Sequence, residues 1–432
     1  MMNRNNNVVH KDREGNNEKS RCVFKSIPIA HMLGFRGEKT DTLNQKLNKE
    51  LMFSYNQLKM TEEEVEYRKD AFNLFKKLLE NELGCSVESH GSFRTNTMVY
   101  SSDIDITVLI NKDKTKNSSS DINYKSHANK VLSKIVTILE AAKVCIGPIL
   151  HIKHARIPII KCTEALYKSK IDIVIDQYDS IDGANFVIEQ IAHRPFLKYL
   201  IILVKYFLKR RQLSEVIRGG LCSYAQFLLI LNFVQLHPLI QSGEINETNF
   251  NENIGTILMD FFQFYGTEFP FERATISVLE TRYKPNRTSQ ISIEDPVNVE
   301  HNVASGCTAL HMVREIFTFS YKIMMAAFSE KVDSRRAIGE LWLRLDEKEI
   351  VQRKINRDKT LAKVSKDVKA LLSQDKTREN KDVKCSKTKL DERDLTSSGT
   401  AGGKVIDEEQ NSVKKGKKNK NKSKGHKKPS ED

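Results

Sequence analysis

Asp103 and Asp105 stand two residues apart in the run SSDIDITVLI, residues 101–110. From Ile104 onward the run is apolar and β-branched, which is strand composition, and the strand period of two sends both carboxylates to one face. A third acid, Asp172, sits near the start of a similar stretch, KIDIVID at 170–176. Three hard oxygen donors in one unit suit a pair of divalent cations about 3.5–4 Å apart, which acidify an attacking hydroxyl and stabilise the oxygens of a displacement at phosphorus. Mg2+ or Mn2+ matches such donors. A lone Asp-x-Asp is more often a strand end facing water. Here Gly91 and Ser92 open a turn just upstream, Ser101 and Ser102 adjoin the pair, and a second acidic strand follows, so the metal reading outweighs the plain one.

The elements that would hold these acids show in the apolar periodicity. Leu51, Tyr55 and Leu58 mark one helix, and Val65, Phe72, Leu74, Phe75, Leu78 and Leu79 a second. Thr61 followed by Glu62, Glu63 and Glu64 reads as an N-cap with acids in the first turn, placing a helix start near Thr61. KDKTKNSSSDIN at 112–123 reads as a polar loop, Val131 to Ala142 as a helix, and RIPIIKC at 156–162 as a strand with Pro158 near its start. From about Arg194 the period becomes helical, with helices expected in KYLIILVKYFLKRRQL, SYAQFLLILNFVQLH, IGTILMDFFQFYG and ALHMVREIFTFSYKIMMAAFSE. The expected organisation is a disordered segment over 1–45, a strand-containing catalytic domain over 46–195 whose leading helices pack on the next, a helical domain over 196–345, and a charged, disordered, lysine-rich tail over 346–432.

Composition narrows the class. A hydrophobic share of 39% over 432 residues supports a true core. Of the net charge of +14, nine units come from the nine lysines between Lys414 and Lys428, so the body is only mildly basic and the cationic end suggests a polyanionic partner or a nuclear address. The seven cysteines show no C-x2-C pairing, which argues against a disulfide scaffold and against a structural zinc site of ordinary spacing. No apolar run is long enough to span a bilayer and the first residues lack a signal-peptide core, so a soluble intracellular protein with no membrane partner is expected.

Several motifs in order carry a resemblance: GSFRT at 91–95, SDIDI at 102–106, PIIK at 158–161, IDIV at 171–174, GGLCSY at 219–224, FFQFYGTEFPF at 261–271 and ISIEDPVNVEHNVA at 291–304. Together they resemble the DNA-polymerase-beta-like nucleotidyltransferase superfamily and, within it, the non-canonical poly(A) RNA polymerases of the TRF4/PAPD5 type, over about residues 48 to 335. The resemblance implies an α+β fold: a catalytic domain of mixed β-sheet and flanking helices, a mainly helical central domain, and a cleft between them. It implies that Asp103, Asp105 and Asp172 hold the metals, with Asp172 helping to activate an RNA 3′-hydroxyl. Gly91, Ser92 and Ser102 would meet the nucleotide phosphates, Lys205 and Lys209 would reach the triphosphate from a helix face, and Ser223 would lie near it. Tyr224 would stack on the base, a contact every base can make. Asn302 would read adenine, with Glu294 and Asp295 organising its loop, whereas His301 occupies the region where related uridylyltransferases place a histidine that selects uracil. One departure from the family pattern falls at Asn96 and Thr97, where Gly-Leu is common; Asn tolerates positive φ and can take a glycine's backbone position.

The activity implied is template-independent addition of AMP from ATP to RNA 3′ ends for nuclear RNA surveillance, processing and decay, in the nucleus or nucleolus, alongside a zinc-knuckle RNA-binding protein and an RNA helicase as in TRAMP-like complexes. A terminal uridylyltransferase and an inactive RNA- or partner-binding scaffold are the alternatives. All three aspartates are present, which weighs against the scaffold.

Overall fold

Two capping boxes lay out the first helices of the computed structural model, which describes residues 41–110, 122–280, 284–288, 290–328, 343–346 and 348–358, all within one compact unit. Thr42 closes the first with Gln45 and starts α1 (Leu43–Leu58); Thr61 closes the second with Glu64 and starts α2 (Glu62–Leu83), which ends on Gly84 in the left-handed conformation. The two helices part company in packing. Leu47, Leu51 and Leu58 of α1 enter a helical core, while Ala71, Phe75 and Leu79 of α2 enter a core built on a sheet.

That sheet has five strands: β1 (Ser86–His90), β2 (Ile104–Leu109), β3 (Cys145–Ile152), β4 (Ile159–Glu164) and β5 (Lys170–Ile175), in the order β1-β2-β5-β4-β3. Only the β2–β5 pair is parallel, so the sheet is mixed. Ile104, Ile106, Val108, Ile171, Ile173 and Ile175 point to the face covered by α2 and by the helix Ile122–Ala142. Period two then delivers Asp105 and Asp172 to the opposite face, on which the rest of the site is assembled. A short helix, α3 (Gly91–Arg94), joins β1 to β2; numbering on from it, Ile122–Ala142 is α4 and Tyr178–His193 is α5.

The helical region follows with α6 (Leu197–Lys209), α7 (Ser223–Leu236), α8 (Ile254–Gln263) and α9 (Leu310–Phe328). Phe207, Phe261, Phe262 and Phe317 interlock at its centre, with ring centroids 4.9–6.1 Å apart. α1 is fastened to α8 by the Gly255 amide, which donates to Asn48 Oδ1 at 2.7 Å. No described helix is long and apolar enough to cross a membrane.

Several elements differ from the sequence reading. α4 begins at Ile122 rather than Val131, FFQFYG leaves the α-helix at Gln263 for a π-turn over Phe264–Glu268, and β1, β3 and α5 were not anticipated. β3 is an edge strand whose residues are mostly exposed and whose pairing shifts register between Ile146 and Leu150, so it carries no clean alternation. Most of the loop expected at 112–123, the segment 1–40 and the lysine run lie outside the described residues.

Candidate active site

Strand register builds the floor of the site. His90 on β1 lies opposite Asp105 on β2, Asp105 opposite Asp172 on β5, and Asp172 opposite Lys161 on β4, so one row of four side chains crosses four strands. Asp103 stands at the entry to β2 in the same alternation. Asp172 holds the Lys161 ammonium in an ion pair. Crowding sets the titration of the acids: burial first, then the neighbouring Asp172 and Asp103, push the Asp105 carboxyl up to about 7. Burial also raises Asp172, against the pull of Lys161.

At the end of β1 the chain turns on Gly91, whose φ of +61° favours glycine and whose Cα lies so close to Asp105 that a Cβ there would stand 2.2 Å from Oδ2. The turn closes when the Thr97 amide donates to the Ser92 carbonyl at 3.0 Å and the Thr95 and Thr97 hydroxyls meet at 2.8 Å. Asn96 carries a positive φ, 52°, the conformation that the sequence reading allowed it.

The opposite wall comes from the helical region. Lys205 on α6 is buried, which pulls its ammonium down to about 8 although Asp105 favours the charged form. Its Nζ donates to the Thr97 carbonyl at 3.4 Å, and one turn on, Lys209 donates to the Ser101 carbonyl at 3.0 Å. On α7 the Tyr224 ring packs over Gly183 of α5, where a Cβ would come within 3.3 Å of it. The Tyr224 hydroxyl donates to Asp295 Oδ1 at 3.1 Å, and Asp295 Oδ2 meets His301 Nδ1 at 3.2 Å. Burial, then Asp295, raises the Tyr224 phenol, which therefore stays a neutral donor.

A cavity of about 910 Å³ opens between the two walls, the size of a pocket for a nucleotide-sized ligand. Gly91, Ser92, Lys205, Ser223 and Tyr224, all singled out in the sequence, line it together, and Asp105 adjoins it through Gly91. Three other residues have different employment. Ser102 Oγ accepts from the Val99 amide inside its own turn, and Lys209 is turned to the Ser101 carbonyl. The assignment of Asn302 to base reading needs correction. Its Oδ1 accepts from the Ile293 and Ala304 amides and its Nδ2 donates to the Ile291 carbonyl, so the side chain is spent on pinning the loop. Asn298 and His301 face the cavity instead. Glu294 and Asp295 organise their surroundings, Glu294 through Ser277 and Lys284, Asp295 through the Val297 amide as well as Tyr224.

Sequence reasoning missed Lys161, Lys125, Arg156 and Gly183. Lys161 was visible within PIIK and, one strand over from Asp172, a register argument would have found it. Lys125 and Arg156 add positive charge to the cavity wall. Among the described residues no three His, Cys, Asp or Glu side chains converge closely enough to hold a metal ion by themselves, and Asp172 is engaged with Lys161. The donor set is nonetheless all hard carboxylate on neighbouring strand positions, and at Asp105 the like charges of Asp172 and Asp103 add to burial in raising the carboxyl. Both properties fit a divalent cation.

Comparison with known proteins agrees with this geometry. Residues 47–186 match the family model described as the central palm domain of mitochondrial-like poly(A) RNA polymerases, and residues 253–301 match that of Cid1 family poly(A) polymerases. Poly(A) RNA polymerase CID14 of Cryptococcus neoformans is 27% identical over 66% of the chain and 37% of its own length; the Schizosaccharomyces pombe protein of that name is 29% identical over 54% and 34%. The chain thus spans little more than a third of either relative. The inactive non-canonical poly(A) RNA polymerase protein Trf4-2 of Drosophila melanogaster is 27% identical over 50% of the chain and 53% of its own. In fold, the chain is similar to the polymerase core of TRAMP, an RNA surveillance complex, with a TM-score of 0.62 at 20% identity over 73% of this chain and 98% of that one. A cytoplasmic RNA terminal U-transferase follows at 0.53 and 20%, over 65% and 94%.

Proposed function

Because the chain belongs to the non-canonical poly(A)-polymerase-like proteins of the TRF4/PAPD5-related family, in the polymerase-beta-like nucleotidyltransferase superfamily, we propose that it transfers AMP from ATP to RNA 3′-hydroxyls without a template. The observation that carries this reading is the register of Asp105 beside Asp172, under the Gly91 turn and with the Lys205 ammonium near enough to favour the charged Asp105 carboxylate.

The residues divide the work by position. Gly91 lets the turn close onto Asp105, and the backbone and hydroxyl of Ser92, at the cavity wall, would donate to the β- and γ-phosphates. Lys205 offsets charge on the departing pyrophosphate from a wall where burial strengthens its field. Tyr224, held by Asp295, offers a ring face to the base, and Lys125 and Arg156 lie where they can pair with RNA phosphates. Asp103, Asp105 and Asp172 would hold Mg2+ or Mn2+, which acidifies the 3′-hydroxyl and stabilises the leaving oxygen when bound. Asp172, now paired with Lys161, would complete that set. The displacement then runs in line, with no covalent enzyme intermediate.

A second reading draws on His301. It stands at the cavity with Nδ1 donating to Asp295 while Asn302 is withdrawn, and a histidine held in that way can offer Nε2 as an acceptor to the uracil N3–H, making UTP the donor. The relatives named poly(A) RNA polymerases favour ATP. Nuclear residence, RNA surveillance, a zinc-knuckle RNA-binding partner and an RNA helicase belong to the same proposal, supported by the family and by the lysine-rich run from Lys414 to Lys428.

The test is extension of a labelled RNA by the purified protein with ATP, UTP, CTP or GTP offered singly, with and without a zinc-knuckle partner. Preference for ATP that disappears in Asp103→Ala and Asp105→Ala supports adenylyl transfer, preference for UTP moves the reading to His301, and no extension under any condition rejects both in favour of a scaffold.

A further inference from the structure

The chain passes from the helical core to the sheet core at Lys59–Thr61, between α1 and α2. A much later segment comes back to this crossing. Leu343, Leu345 and Ile350 enter the helical core, and Asp346 fastens the segment to α6 through Arg210 at 3.0 Å and the Tyr206 hydroxyl at 3.1 Å. Arg353 then reaches over to the other side. Its guanidinium donates to both carboxylate oxygens of Glu64, to the Gln57 carbonyl, and to the Lys59 carbonyl at 2.6 Å. The same guanidinium lies 5.7 Å from the centre of the Tyr100 ring, whose hydroxyl accepts from Asn356 at 2.8 Å.

Tyr100 is three residues before Asp103. Its carbonyl accepts from Arg68 of α2 at 2.6 Å, the next carbonyl, Ser101, accepts from Lys209 of α6, and Val99 bridges to Lys59 at the crossing itself. The stretch that delivers Asp103 and Asp105 is therefore gripped from α2, from α6 and from the returning segment.

We propose that Arg353 is a positioning residue for nucleotidyl transfer: by tying the crossing to Tyr100, it sets the stretch 97–102, and with it the catalytic aspartates, against Lys205 across the cleft. Breaking a buried ion pair leaves an uncompensated charge, and the planar fork of arginine meets its acceptors in directions a lysine ammonium does not reproduce. Arg353 neither lines the 910 Å³ cavity nor pairs with Asp103, Asp105 or Asp172, so its effect on transfer runs through Tyr100 and the crossing.

The kinetic side of this inference rests on the transfer reading above, and its structural side does not. The experiment compares the full chain with Arg353→Lys and Tyr100→Leu, the second leaving the Glu64–Arg353 pair in place. Hydrogen exchange is measured at the amides of 97–103, with thermal midpoints alongside and with kcat and KM for the nucleotide. Both variants are expected to speed exchange in this stretch by about tenfold or more, ahead of the rest of the sheet. Misplacement on the scale of an ångström lowers kcat by about ten- to a hundredfold, with KM moved far less. Unchanged exchange at 97–103 in both variants, with only the thermal midpoint lowered, would overturn the inference. If even the wild-type chain transfers no nucleotide, the functional reading fails, and the exchange result alone decides for or against Arg353.

Discussion

Two buried charge clusters lie on either side of the stretch 97–102, and they are settled differently. At the crossing, Glu64 is buried, yet the Arg353 guanidinium and the Thr61 amide outweigh burial and hold its carboxyl below the usual range. At the cavity, burial and like charge leave Asp105 at about 7, while burial draws Lys205 down to about 8, each pushed towards its neutral form. The first cluster is complete in itself. The second keeps its ionisable groups shifted towards their neutral forms, as functional sites commonly do.

Four measurements would break or sharpen this contrast. The largest effect is expected from Asp105→Asn, which keeps the shape and removes the charge: transfer should fall on the order of a thousandfold or more, while the thermal midpoint holds or rises. A midpoint falling with activity would mean the carboxylate is structural after all. At the crossing, Glu64→Gln strands the Arg353 charge and should lower stability in urea by about 3 kcal/mol. Because the folded carboxyl titrates below its ordinary 4.5, that deficit is present at neutral pH and fades as pH falls through the folded value.

Lys205→Met should act in the opposite sense. With a folded pKa of about 8 against an ordinary 10.5, the charged ammonium opposes folding in full below pH 8, so the substitution should stabilise the protein by about 3 kcal/mol at pH 7. The advantage should shrink between pH 8 and 10.5, and transfer should be lost throughout. Equal stability of the two proteins at pH 7 would show that Lys205 is already neutralised by a partner. The smallest effect is that of Thr61→Ala, which opens the capping box beside Glu64 and should cost about 1 kcal/mol with KM for the nucleotide unchanged.

Much of this could be read before the fold was known, wherever the cause was local. Thr61 with Glu64 three residues on specifies a helix start by itself, and Asp103-x-Asp105 specifies a shared face by itself. Asn96 could be given a positive φ because it stands where the family it resembles commonly has glycine. What stayed hidden depended on partners distant in sequence. β3 is exposed at an edge and has no alternation to show, and α5 interrupts its apolar pattern with Gly183, whose reason is the ring of Tyr224. Asn302 and His301 are neighbours with exchangeable chemistry, and only the hydrogen bonds of Ile291, Ile293 and Ala304 decide which of them turns inward. The grip of Arg353 on Glu64 spans 289 residues and leaves no local mark.

The early parting of α1 from α2 bears on how the chain is born. Every strand of the sheet core and both its covering helices lie within residues 62–175, so that core can close while the remainder is still being made. α1 precedes all of it, yet Leu47, Leu51 and Leu58 find their partners in helices that emerge between residues 197 and 328. For the interval in which more than a hundred residues are translated, α1 is an apolar surface without its counterpart. Nascent-chain complexes stalled near residue 180 should therefore recruit chaperones through α1, and lose them once α6 and α8 are exposed.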